Sequence, residues 1–382
     1  MADESPFELR LSQAAYWAKC AAFVRMNRRP ETGIIEDEQD NTIRDEGTAM
    51  HWVAQRLMDV FEVLPEVGDV APNGVILTDD IIDSAAFYCE VLNSYALIPW
   101  RIEEQLAARR IHSKCGGTPD AFGHDLFKPK IILPDLKGGY RPVEVFPNPQ
   151  LIGYLAAILD ENPAWETPNA VVEFVIVQPR AYHRDGPVRT HTTRLMDVYP
   201  YIAELARAAA GAMGDGAMCT AGSQCDDCGA RAVCVTCHAA GMRALEVAGE
   251  AALNEITVAA VDYELLRIEE AQRMLEARLT GLRAHAAHMI RRGETLPHFA
   301  IQSGKGRLDW IDDDAEQSAI AMGDLMGKNL RKREAAITPT QAANVIPREL
   351  IDAYAARKRG EAKLVRFDAN SIAKAFSKLT LE

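Results

Sequence analysis

Apolar positions recur at helical spacing along residues 11–28, where Ser12 is placed to cap the first turn and Cys20 sits on or at the end of the element. The pattern returns behind Gly47-Thr48, where Met50, Val53, Leu57 and Val60 repeat every three or four residues. This predicts a helix opening at Gly47 with His51 in its first turn, after an acidic, irregular stretch over 30–46. A further helix is predicted over 79–95. Alternating or apolar runs at 100–106, 109–115, 119–124 and 130–136, broken by Gly and Pro, predict an antiparallel meander. Residues 148–160 regain the helical period and place Gln150 and Tyr154 at i and i+4 on one face, ahead of the continuous apolar strand Val171–Val177. The order helix, sheet, helix, strand predicts an α/β core.

Past residue 200 the pattern is helical again and then enters a cysteine-rich loop. From 262 to 292, Leu265, Ile268, Ala271, Leu275, Leu279, Leu282, Ala286 and Met289 form one apolar stripe of a long amphipathic helix. Short strands are predicted near Phe299–Ile301 and Leu308–Trp310, and helices near 313–326, 339–356 and 370–379. With 382 residues the chain exceeds the usual single core, so two domains are expected, at 1–240 and 241–382, the second mainly helical.

Composition narrows the partners. The net charge of −13 argues against a general nucleic-acid coat, because phosphate binding relies on Lys and Arg. Residues 301–382 carry +2, so a basic surface is confined to the C-terminal end, with Lys328–Arg333 and Arg357–Arg359 as the DNA-facing candidates. No apolar run reaches the length of a membrane span, and the first residues have neither a basic start nor an apolar core. A cytoplasmic chain with no membrane partner is expected. Nothing in the pattern encodes a readable interface, and an oligomer stays open.

The chemistry concentrates at Gly117-Thr118-Pro119-Asp120 and Asp135-Leu136-Lys137. Two carboxylates from neighbouring strands supply hard oxygen ligands for Mg²⁺ or Mn²⁺, and a lysine two residues beyond the second lies on the same strand face. A metal-bound water and an adjacent cation suit attack on a phosphodiester. The cysteines add a second signal. Five of the eight fall within 219–237, as Cys219, Cys225, Cys228, Cys234 and Cys237, which points to a metal or cluster site. Two CxxC pairs with Cys219 and His238 nearby suit zinc, and an all-thiolate set suits an iron–sulfur cluster. Cys89 and Cys115 read as ordinary buried residues.

His51, Pro119-Asp120, Asp135-Leu136-Lys137 and Gln150-x-x-x-Tyr154 stand in an order and spacing that resemble the PD-(D/E)XK nucleases of the RecB-like branch. Cys20 followed by Cys225-x₂-Cys228-x₅-Cys234 resembles the iron–sulfur nucleases related to AddB. The resemblance covers residues 8–240. It implies a restriction-endonuclease-like core, a mixed sheet flanked by helices and closed by an iron–sulfur staple. It also implies that His51, Asp120 and Asp135 bind the metal, that Leu136 lends a carbonyl, that Lys137 is catalytic, and that Gln150 and Tyr154 contact DNA. A [4Fe–4S] cluster on Cys20, Cys225, Cys228 and Cys234 follows in the same way, with zinc as the rival. Relatives often carry a glutamate a few residues after the histidine, where this chain has Gln55. Beyond 240 the chain resembles phage-borne RecB-like proteins with a helical extension. That implies a Mg²⁺- or Mn²⁺-dependent DNA exonuclease in phage recombination or replication, partnered by DNA and by a phage recombination protein in a bacterial host. The other reading is a non-catalytic DNA-end-binding scaffold.

Overall fold

A computed structural model describes residues 6–27, 38–58, 64–95, 98–248, 257–303, 308–311, 313–332, 335–336, 342, 346–357 and 362–366. They divide into two compact units, 1–282 and 283–382. The boundary expected at 240 falls inside the helix Val235–Ala248.

In chain order the first unit contains β1 (Leu9–Arg10), α1 (Ala14–Trp17), α2 (Phe23–Asn27), α3 (Glu38–Met58), α4 (Asp79–Ser94), β2 (Arg101–Ile102), β3 (Leu106–Ala107), β4 (Cys115–Gly117), β5 (Ala121–His124), β6 (Lys130–Leu136), α5 (Pro149–Glu161), β7 (Val171–Val177), β8 (Val188–Arg194), α6 (Leu195–Met213), α7 (Val235–Ala248) and α8, which begins at Val258 and runs to Arg291. The main sheet has the order β2-β5-β6-β7-β8, with β6 and β7 parallel and the remaining pairs antiparallel. The parallel pair needs a crossover, and α5 supplies it. Asn148 caps α5 by accepting from the Gln150 and Leu151 N–H groups, Pro149 opens its first turn, and Leu151 through Leu159 are all buried. A helix buried all round is the hydrophobic centre of the first unit.

Alternate residues of β6 feed two cores. Ile131 and Leu133 pack with α1, α5 and α6, whereas Ile132 and Leu136 pack with α3 and α4. The result is a mixed sheet with helices on both faces, an α/β fold as expected. Gly138, just past β6, lets that strand end run against α3, since a Cβ there would lie 3.0 Å from the Gly47 Cα.

Several sequence expectations change. The 11–28 helix is broken into a 3₁₀ turn, α1 and α2, because the chain bends at 18–22 to bond the Ala22 N–H to the Met218 carbonyl. Cys20 lies in that bend. The helix expected from Gly47 starts at Glu38, and Thr48 bonds back to the Arg44 carbonyl across the expected break. The meander splits: β3 and β4 leave it to form a separate sheet with β1, in the order β1-β4-β3. In the second unit, Phe299–Ser303 pairs with Ala362–Arg366 and Leu308–Trp310 with Ala355–Arg357. The helix Asp313–Leu325 matches expectation, but the one expected over 339–356 is reduced to Arg348–Ile351 before the strand at 355. Among the described residues of 241–382, the span expected to be mainly helical, α8 and the helices Asp313–Leu325 and Arg348–Ile351 stand beside short paired strands. The helix expected over 370–379 lies outside the described residues. No described helix is long and apolar enough to cross a membrane.

Candidate metal centre

Asp120 sits one residue ahead of β5 and Asp135 next to last in β6. By strand alternation both share the face of Phe122, Ile131 and Leu133, the face covered by α5. Asp120 Oδ2 accepts a 2.6 Å hydrogen bond from the Leu136 N–H, which fixes the two strand ends relative to each other. Leu136, expected to offer its carbonyl, thus commits its N–H to Asp120, while its side chain is buried with α3 and α4.

His51 stands well inside α3, not in a first turn, and its Nδ1 lies 3.4 Å from Asp120 and 3.6 Å from Glu103. Ligand atoms of His51, Glu103 and Asp120 all lie within 4.8 Å of one another, the one such trio of His, Cys, Asp and Glu among the described residues. Glu103 was not anticipated. It follows β2 in a left-handed conformation, φ 48°, and its N–H donates to the Asp120 carbonyl. Gln55, which stands where the resembled nucleases often carry a glutamate, is exposed.

Lys137 Nζ lies 2.8 Å from Asp135 Oδ2 and donates to Gln150 Oε1 at 2.9 Å. Gln150 Nε2 donates to Asp135 Oδ1 at 3.1 Å and to the Tyr154 hydroxyl at 3.3 Å. Six of the predicted side chains, from α3, the β5 edge, β6 and α5, therefore meet. Five of them, all but the buried Asp135, border a cleft of about 370 Å³ that also takes in Ser12, Thr48 and Glu103.

The electrostatics suit a hard cation. Burial raises the Asp120 carboxyl to about 7, with Asp135 and Glu103 adding to the effect against His51 and Lys137. Burial alone would discharge His51, yet Asp120 and Glu103 outweigh it and lift the imidazole to about 9. Burial opposes charge on Lys137 as well, and Asp135 and Asp120 reverse that, keeping the ammonium above its ordinary range. The Tyr154 phenol is kept neutral, by burial first and the carboxylates next. Tyr88 on α4 is raised for the same reasons, and its buried hydroxyl has no hydrogen-bond partner among the described residues. Three carboxylates and an imidazole crowded together, two of them driven toward protonation, form a donor set that Mg²⁺ or Mn²⁺ would fit.

The cysteines form a second constellation. Cys20, Cys225, Cys228 and Cys234, the four expected together, line one cavity, and Cys219 and Cys237 line it too. The Thr220 N–H donates to Cys20 Sγ at 3.5 Å and Asn27 Nδ2 to Cys228 Sγ at 3.6 Å. A hydrogen bond from the Cys237 thiol lowers Cys225 to about 6 against the effect of burial, while burial and Cys234 push Cys219 up to about 12. No three of these sulfurs form a group as close as His51, Glu103 and Asp120. The protein itself ties the two ends of the domain here, through Lys19 Nζ to Ser223 Oγ at 3.0 Å and Arg25 to the Ala217 carbonyl at 2.8 Å. His238 is exposed, and Cys89 and Cys115 are buried elsewhere. The two basic clusters of the C-terminal part lie largely outside the residues whose side chains are described.

Comparison with known families gives a match along almost the whole chain. The family model of DUF2800, a protein of unknown function, matches residues 8–370, and the chain belongs to that family. No curated protein matches it.

Proposed function

We propose that this DUF2800 chain is a Mg²⁺- or Mn²⁺-dependent deoxyribonuclease that hydrolyses phosphodiester bonds, acting on DNA ends as an exonuclease in recombination or replication. The observation that carries the reading is the meeting of His51, Asp120, Lys137, Gln150 and Tyr154, residues spread over about a hundred positions, around one cleft with Glu103, with the buried Asp135 held by Lys137 and Gln150. The PD-(D/E)XK resemblance needs these side chains together. The helix, antiparallel strands, crossover helix and parallel strand that carry them support it as well.

His51, Glu103 and Asp120 would hold the cation, with Asp135 beside them. The bound ion supplies an activated water and a counter-charge for the phosphoryl group. Lys137 stays protonated under the influence of Asp135 and Asp120, so it serves as a cation beside the phosphate and not as the base. Gln150 is oriented from both ends, its oxygen by Lys137 and its nitrogen by Asp135. Tyr154 accepts from Gln150, which leaves its own O–H proton for a phosphate oxygen.

The same reading places a [4Fe–4S] cluster in the cysteine pocket, with Cys20, Cys225, Cys228 and Cys234 as its thiolates. The rival for the same all-thiolate pocket is zinc.

The test is digestion of end-labelled linear and circular DNA, single- and double-stranded, by anaerobically purified protein with Mg²⁺, Mn²⁺ or EDTA, beside Lys137→Ala. Metal-dependent loss of linear DNA by the wild type alone is expected. Cutting of circles would make it an endonuclease, and binding without cleavage by folded protein would leave the scaffold reading.

A further inference from the structure

The 34-residue helix α8 carries an apolar seam that its own unit does not cover. Val258, Val261, Leu265, Ile268, Leu279 and Leu282 are 40% to 89% exposed. With Gln272 and Leu275 between them, their spacing is an unbroken alternation of three and four residues, the heptad pattern of a two-stranded coiled coil with one polar layer. The opposite face is the packed one. Met274, Ala277 and Gly281 are buried, and a Cβ on Gly281 would meet Arg231 Cγ at 2.6 Å and Ala232 N at 2.9 Å. At 100° per residue these three project about 170° away from the seam. The seam therefore faces outward because α8 is docked by its back.

Charge selects the occupant. Positions flanking the seam are acidic at first, Asp262, Glu264, Glu269 and Glu276, and become basic at Arg278 and Arg283. The first seventeen residues of α8 hold four carboxylates and two arginines, the last seventeen one carboxylate and three arginines. A parallel self-pair would set acid against acid. An antiparallel self-pair sets the acidic half against the basic half, and one register does so while overlapping residues 258–289 of each helix. That register faces Leu265 of one copy with Leu282 of the other, Ile268 with Leu279, and Gln272 with Leu275, and it brings Asp262 opposite Arg283.

We infer that α8 is a homodimerisation element, pairing antiparallel with α8 of a second copy of this chain along the Val258–Leu282 seam. The helix is about 51 Å long, and a strip about 10 Å wide gives about 500 Å² per copy, near the lower limit of specific interfaces. A reversible dimer with a dissociation constant on the order of micromolar is expected from that area. The inference is independent of the nuclease reading.

Sedimentation velocity of the full chain across about 1–100 μM tests it. The wild type should pass from monomer to dimer. Leu265→Glu, at a position 55% exposed, should weaken dimerisation at least tenfold with an unchanged circular dichroism melt. Asp262→Arg should weaken it as well, and Asp262→Arg combined with Arg283→Asp should restore it, because only antiparallel pairing opposes these two residues. A chain that stays monomeric throughout overturns the inference, as would be the case were another protein or another part of the chain to cover the seam. A dimer indifferent to Leu265→Glu also overturns it, and failure of the double reversal to rescue overturns the antiparallel register.

Discussion

Replacing Lys137 with Met removes a charge and keeps the hydrocarbon length, so it isolates what that charge does. The ammonium lies 2.8 Å from Asp135, a carboxylate whose side chain is 2% exposed. The other polar contact to that carboxylate among the described residues is Gln150 Nε2 at 3.1 Å. Removing one partner of a buried ion pair costs about 3–5 kcal/mol. A ceiling applies, because a carboxyl group can be buried neutral. Keeping a proton on a group that ordinarily releases it near pH 3.9 costs about 1.36 kcal/mol per pH unit, or about 4 kcal/mol at pH 7 and about 1.5 kcal/mol at pH 5. Lys137→Met should therefore destabilise the metal-free protein by about 3–4 kcal/mol at pH 7, a fall in Tm of roughly 6–12 °C, and by less than half of that at pH 5. Differential scanning calorimetry in EDTA at the two pH values measures both. Millimolar Mn²⁺ should recover much of the loss by restoring a cation beside Asp135, while catalysis stays absent. A variant that melts within about 2 °C of the wild type at pH 7 in EDTA, or loses equally at both pH values, would refute the electrostatic role given to this pair.

Glu103→Gln should weaken Mn²⁺ binding by about 10–100-fold in calorimetry, whereas Gln55→Ala should leave it unchanged. Cys228→Ala should lose the visible absorbance at about 400 nm expected of a thiolate-bound cluster, and Cys89→Ala should keep it; retention of the chromophore in Cys228→Ala would remove that residue from the ligand set. Gly138→Ala puts a methyl group 3.0 Å from the Gly47 Cα and should cost about 1–3 kcal/mol in a urea melt, with a matching shift of His51 away from Lys137.

Local spacing made much of the candidate site legible. Asp135 and Lys137 share a strand face by alternation, and Gln150 and Tyr154 share a helix face one turn apart. The α5 and β7 bounds were readable because both are largely apolar segments flanked by Asn and Pro, Asn148-Pro149 and Asn162-Pro163 around α5 and Pro168-Asn169 and Pro179 around β7. Glu103 was not legible, since its place depends on β2 pairing with β5, Arg101 opposite Phe122, which no local pattern reveals. The first turns of α3 give no helical signal because Glu38 to Glu46 is polar apart from Ile43 and offers no apolar stripe. Cys237 was legible as the second residue of the Cys234-x₂-Cys237 pair, whereas Cys219 stands in no C-x₂-C pair and reaches the cysteine pocket through the fold. The separate β1-β4-β3 sheet arose likewise from a partner more than a hundred residues upstream.

The most direct measurement of the central claim is anomalous scattering from crystals soaked in Mn²⁺. A peak within coordination distance of His51, Glu103 and Asp120, absent in Asp120→Asn, is the result expected. Crystals that take up Mn²⁺ elsewhere and leave these three side chains without an ion would contradict the assignment of this cleft as a metal-dependent nuclease centre.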